Sequence, residues 1–395
     1  MNELEAKFIE DFLKEGKPIK KLVDYQLRII ELESIDLDAV AMIFEKLNST
    51  GLPLNIFEIL TAKFYDKFSL YGTRNLREVW EETKERYQLI ESFTKDEKDN
   101  SLAILILKAI LLKKSIEENN KSLECKRKNL LKDLTAKDIE DYWDKCAESL
   151  NKSLNKLREE YGCPSPKYLP YSTILVPFSL AVSFIESKVP LDRREDAYRK
   201  LERWYWASVF SERYDSATDT RSKKDINEII EWIKYDDRVP EAVERFDINS
   251  INLEKTTRGA VFTGVLNIII KRRAKDFVSG ESINELVTRN PTEVDVHHIF
   301  PRKRIPEGRR ELGDSILNKT ILKSETNREF IKDNYPSEYM EKIRKKKGKT
   351  EEEIMERMKG HLIPADKLMA NDFDGFIEER KRLIMEEIKK LVELA

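Results

Sequence analysis

Glu293-Val294-Asp295-Val296-His297-His298-Ile299-Phe300-Pro301 is the stretch that decides how the C-terminal part of this chain is read. Its Val, Ile and Phe content predicts a short β-strand, and Pro301, which has no N–H for a ladder, ends it. Two of the three histidines in 395 residues lie here, side by side. Leu317-Asn318-Lys319-Thr320-Ile321 follows, and then Glu325-Thr326-Asn327-Arg328-Glu329-Phe330, which opens a helix. Neighbouring side chains on a regular strand point to opposite faces, so a site using both imidazoles needs a bend or a strand end at this pair.

These residue types suit a single-metal phosphodiesterase. A neutral imidazole takes a proton from water, a contribution of typically ~10²–10⁴-fold. A divalent cation binds a phosphate oxygen and offsets charge on the leaving 3′ oxygen. Nitrogen and oxygen ligands hold that cation and leave positions open. His298 suits the base, His297 a first ligand, and the side-chain oxygen of Asn327 a second. Asn318 is placed along the chain to hydrogen-bond and orient the base. Arg302, Lys303, Lys319 and Arg328 are suited to gripping flanking phosphates. Asp295 shares strand parity with His297 and is a further ligand option. His361 falls outside the pattern and reads as a helix-end or surface residue.

Charge segregates around this constellation. Lys+Arg and Asp+Glu, 72 against 74, nearly cancel over the chain. Residues 255–275 nevertheless hold six basic and no acidic residues, and 301–350 hold fifteen basic against eight acidic. Such clustering is the footprint of a polyanion-facing surface. Hydrophobic residues at 40% exclude global disorder, and 12 Gly with 13 Pro imply few turns and long helices. Cys125, Cys146 and Cys163 lie far apart with no CxxC spacing, so neither a zinc ribbon nor a disulfide framework is expected. The longest apolar run, 261–270, is too short to span a bilayer, and the N-terminus lacks a signal-peptide pattern. A cytoplasmic protein with no membrane partner is expected.

The rest of the chain reads as helical. Asp36 caps a helix with Leu37, Val40, Ile43, Phe44 and Leu47 at helical spacing, and Asn48-Ser49-Thr50-Gly51 breaks it. Asn55 starts another, with Glu58 in capping-box position. Residues 75–160 alternate charged and Leu/Ile-rich turns, 162–166 read as a linker or loop, and an apolar segment follows from Tyr171. Trp204, Tyr205, Trp206 and Phe210 are dense enough to stack on bases, but their apolar helical pattern points to core packing.

VDVHHIFPRK, LNKTILKSETNREF and KDNYPSEYM together resemble the His-Asn-His (HNH) nuclease unit, a strand pair and helix around one metal. The version resembled is the one fused to a ParB-like domain in modification-dependent restriction proteins of the GmrSD type. Residues 43–54 (IFEKLNSTGLPL) and WYWASVFSERY, from Trp204 to Tyr214, resemble other parts of the same proteins. The resemblance implies His298 as general base, His297 and Asn327 as metal ligands and Asn318 as the Asn that orients the base. Two features depart from the family. An IPxYQRxYxW-like start and a DGQQR motif are missing, with Asp24-Tyr25-Gln26-Leu27-Arg28 a poor stand-in, so the chain is expected to lack the N-terminal third and nucleotide-dependent regulation is in question. His297 stands where many relatives have Asp or Glu, which broadens metal choice from Mg²⁺ or Mn²⁺ towards Zn²⁺ or Ni²⁺.

The expected fold is mainly α, with helical N-terminal and middle regions and a C-terminal ββα-metal (HNH) unit. The expected domains are 1–95 (a ParB-like remnant), 96–250 (helical) and 251–395 (nuclease). The expected function is a metal-dependent DNA endonuclease in restriction or defence. The alternatives are a DNA-binding subunit that needs a separately encoded ParB-like NTPase partner, and an RNase.

Overall fold

Asn55 and Glu58 cap the helix Ile56–Lys63 reciprocally. Asn55 Oδ1 accepts from the Glu58 N–H at 3.0 Å, and the Glu58 carboxylate accepts from the Asn55 N–H at 2.9 Å. In the computed structural model residues 55–65, 75–94, 100–120, 123–348 and 350–393 are described. The expected helix over 37–47, the break at 48–51, the 43–54 motif and residues 24–28 lie outside them. Residues 55–395 form one compact unit.

The described chain is mainly helical. Helix α1 (Ser101–Glu117) is apolar on nearly every side, which is stable only when surrounded. Helix α2 (Ala136–Glu160), capped by Thr135 with Asp138, and helix α3 (Leu175–Lys188) both pack against α1 and against each other. The next helix, α4 (Arg194–Phe210), carries the aromatic cluster, and it is core. Trp204, Tyr205, Trp206 and Phe210 are all buried, with Trp206 stacked between Tyr161 and Phe210 at centroid distances of 6.0 and 5.9 Å. None of these rings is open to a base. The 162–166 segment is a packed connection rather than a free linker. Gly162 takes φ +70°, and a Cβ there would sit 2.1 Å from the Asn267 carbonyl oxygen on α5 (Gly259–Lys271), so only glycine fits.

Strands β1 (Val294–His298) and β2 (Lys319–Lys323) pair antiparallel, from Val294 opposite Lys323 to His298 opposite Lys319. An isolated two-stranded ribbon is marginal in water. Here β2 packs on α5, and β1 on the helix Ile283–Arg289. The chain runs straight from β2 into a helical turn, Ser324–Thr326, which widens into a π-type turn at Asn327–Ile331. Helices α6 (Pro336–Lys347), α7 (Glu351–Gly360) and α8 (Phe373–Glu393) follow, and α8 closes back on α4. Among the described residues no helix is long and apolar enough to cross a membrane. Cys125, Cys146 and Cys163 are buried free thiols, and burial pushes those of Cys125 and Cys146 up to about 12.

His361 ends α7, as expected, but it is fully buried rather than a surface residue. Its Nε2 lies 2.9 Å from the Lys275 carbonyl oxygen and its Nδ1 2.6 Å from Thr320 Oγ1. A carbonyl only accepts, so the ring proton is on Nε2 and Nδ1 accepts from the Thr320 hydroxyl. Burial pushes the imidazole down to about 4. The unfolded chain, with an ordinary value near ~6.5, therefore binds this proton first. The contribution of His361 is complete above pH ~6.5 and falls away as pH drops, by about 3 kcal/mol at pH 4. Urea unfolding between pH 7 and pH 4 should show a steeper loss of stability for wild type than for His361→Gln; equal slopes would contradict the assignment.

Candidate active site at the ribbon end

Asn318, fully buried, fixes where β1 stops. Its backbone oxygen accepts from the Ile299 N–H at 2.9 Å, extending the ladder one residue past His298. Its side-chain oxygen accepts from the Phe300 N–H at 2.8 Å, and its amide donates to the carbonyls of Phe300 at 3.0 Å and Gly313 at 2.9 Å. The expected hydrogen bond from Asn318 to the imidazole is not made. Asn318 acts on His298 through the backbone, by clasping the residues that follow it.

The partners of His298 are Asp314 and Lys319. Its Nε2 lies 2.8 Å from Asp314 Oδ1 and 2.7 Å from Lys319 Nζ, the residue opposite it in the ribbon. Arg302 reaches the same Asp314 oxygen through Nε at 3.1 Å and Nη2 at 3.0 Å. Three nitrogen-bearing side chains thus converge on one carboxylate. The His298 hydrogen bond, reinforced by Arg302, holds the Asp314 carboxyl below its ordinary value. Burial pushes the His298 imidazole below its ordinary value and outweighs the opposite pull of Asp314, so the ring is neutral near pH 7. Burial also lowers the Lys319 ammonium. Nε2 cannot donate to Asp314 and accept from Lys319 at the same time, so which of the two holds it decides the tautomer of the neutral ring. One carboxylate against Arg302 and Lys319 leaves the cluster with surplus positive charge.

Strand alternation sends His297 to the other face, with Asp295. Both rings lie at the ribbon end on opposite faces, and both feel the charge of Lys319. His297 Nε2 is buried without a hydrogen-bond partner, and burial lowers the imidazole below its ordinary value. Asp295 is committed elsewhere, accepting the Ser324 hydroxyl at 2.5 Å. Asn327 follows Ser324 by three residues, where this turn widens. The buried Asp276 carboxylate steadies the same turn. It accepts from the Lys323 N–H at 3.0 Å and from the Thr326 hydroxyl at 2.8 Å. The π-type turn ends at Lys332, whose N–H donates to the Asn327 carbonyl at 3.0 Å and whose φ of +45° turns the chain out of the helix.

The expected phosphate-gripping residues divide. Arg302 and Lys319 join the Asp314 cluster. Lys303 pairs with Asp333 at 2.6 Å, and Arg328 is exposed on the π-type turn, its Nε 3.3 Å from the Ser324 carbonyl oxygen. Among the described residues no group of three or more His, Cys, Asp or Glu side chains could hold a metal ion. A His297–Asn327 pair would therefore depend on water and phosphate oxygens for its remaining positions, as small hard cations commonly do. Asp314 is the participant that sequence reasoning missed. Its one signal is a place four residues before Asn318, in Gly313-Asp314-Ser315, and no spacing rule singles that out.

No family model matches the chain. It is 30% identical over 392 residues to an uncharacterized protein of Methanocaldococcus jannaschii, in a match that covers 90% of this chain. The chain spans 62% of the length of that relative.

Replacing Asn318 by Ala removes three buried hydrogen bonds and strands their backbone partners, at a cost on the order of 3 kcal/mol. A urea midpoint for Asn318→Ala equal to that of wild type would contradict the clasp.

Proposed function

We propose that this chain is a metal-dependent HNH-type endonuclease that hydrolyses phosphodiester bonds in DNA. The observation that carries the proposal is the order of parts at the ribbon end. His297 and His298 close β1, and β2 runs directly into the turn bearing Asn327, pinned to the His297 face through Ser324 and Asp295.

In this mechanism His298, neutral near pH 7, accepts a proton from the attacking water. Asn318 keeps the imidazole at the ribbon end by holding Phe300. Arg302 and Lys319, together offset by one carboxylate, receive the negatively charged diester, which competes with Asp314 for both cations. That competition draws Lys319 from Nε2 and, in the tautomer with the proton on Nδ1, leaves the Nε2 lone pair open to water. The unpartnered His297 Nε2 and the side-chain oxygen of Asn327 are a donor set that fits a divalent cation such as Mg²⁺ or Mn²⁺, with Zn²⁺ or Ni²⁺ also suited to the imidazole. Such a cation, when bound, polarises the phosphate and offsets charge on the leaving oxygen. The setting that fits the sequence resemblance is restriction of foreign or modified DNA.

The test is cleavage of supercoiled plasmid, unmodified and carrying modified cytosine, in EDTA, Mg²⁺ or Mn²⁺. Wild type should cut only with metal, and His298→Ala should fall by about 10²–10⁴-fold while keeping its circular dichroism and unfolding midpoint. Folded wild-type protein that binds DNA but cuts nothing would overturn the autonomous nuclease. The subunit reading, with a separate ParB-like NTPase partner, would take its place.

A further inference from the structure

Tyr335 is a large ring left 38% exposed, beside the turn Arg302–Arg304 that follows the candidate base. It is held in place on three sides. Its N–H donates to Glu338 Oε2 at 2.8 Å, and Pro336 starts the next helix directly behind it. The Arg304 guanidinium lies 4.3 Å from the ring centroid and is itself fixed by a 2.7 Å hydrogen bond to the Asp333 carbonyl. The ring borders a cleft of about 380 Å³, within the ~300–1,000 Å³ of small-ligand sites, that also has Lys303, Phe373, Asp372 and Asp374 in its walls.

We propose that this cleft takes one unstacked base of the bound nucleic acid, stacked on Tyr335. The inference rests on the nuclease reading and names the form of substrate it engages. One wall, Lys303 and Arg304, attracts phosphate. In the other, Asp374 is paired with Arg309 at 3.0 Å and Asp372 accepts the Gly375 N–H at 3.0 Å, and their remaining carboxylate oxygens disfavour phosphate and can accept hydrogen bonds from base amino groups. A backbone passing the cationic wall therefore directs its base, rather than its phosphate, into the cleft. Arg302, in the same turn as Lys303 and Arg304, reaches Asp314 and through it His298, so one turn of chain links the cleft to the candidate base. Stacking on an aromatic ring is tolerant of base identity and supplies binding without sequence readout.

The experiment uses the full chain in EDTA with single-stranded DNA carrying 2-aminopurine at successive positions. Wild type should quench one position on binding. Tyr335→Ala should lose that quench and bind about tenfold to hundredfold more weakly, and Tyr335→Phe should keep both. Lys303→Ala should weaken binding and lower its salt dependence while keeping the quench. Equal quenching and affinity in folded Tyr335→Ala would overturn the base site and leave the nuclease reading intact. Failure of wild type to bind any oligonucleotide would overturn both.

Discussion

The clasp of Asn318 on the backbone of Phe300 and Gly313 is the interaction on which the C-terminal architecture depends. Two five-residue strands cannot stand alone, and the long excursion between them has no ladder of its own. One buried side chain joins its two ends, satisfying both polar groups of Phe300 where β1 leaves the ribbon. The stretch around Asn318 is then tied to the helices by a second buried polar group. Arg380 on α8 is fully buried and donates to the carbonyls of Leu317, Leu362 and His361 at 2.7, 3.2 and 3.2 Å. Three carbonyl dipoles solvate its charge, and burial still pulls the guanidinium down to about 9. His361 makes the matching tie from α7 to β2 through Thr320.

The consequence for chemistry is a division of labour between rigid and exchangeable contacts. Asn318, Asp276, Arg380 and His361 spend their polar atoms on backbone or on buried hydroxyls, and nothing at the surface competes for them. The Asp314 carboxylate is different. It is part-exposed and shared among His298, Arg302 and Lys319, so an incoming anion can displace it. The rigid set keeps the ribbon end in place while the exchangeable set changes partners.

Local signals in the sequence were enough for the local features. The three-residue spacing of Asn55 and Glu58 is a capping box, the Val/Ile/Phe pattern over 294–300 gives a strand that stops at His298 rather than at Pro301, and the apolar periodicity around Trp204 is core. The long-range partners left no such mark. Asp314 meets His298 from sixteen positions further along the chain, at the end of the short helix Arg310–Asp314, and its neighbours Gly313 and Ser315 say only that a turn is near. His361 sits in Lys359-Gly360-His361-Leu362, which reads as a solvated helix end, yet the closure of α7 over β2 buries it. Asn318 was legible as a residue that matters but not in what it touches, since a spacing motif carries position and not hydrogen-bond direction.

The proposed nuclease needs a divalent cation between His297 and Asn327. Anomalous diffraction from crystals of the full chain soaked in Mn²⁺ tests it most directly. One anomalous peak is expected within bonding distance of His297 Nε2 and the Asn327 side-chain oxygen, and it should vanish in His297→Ala. A peak elsewhere, no peak, or one that survives in His297→Ala would contradict the account.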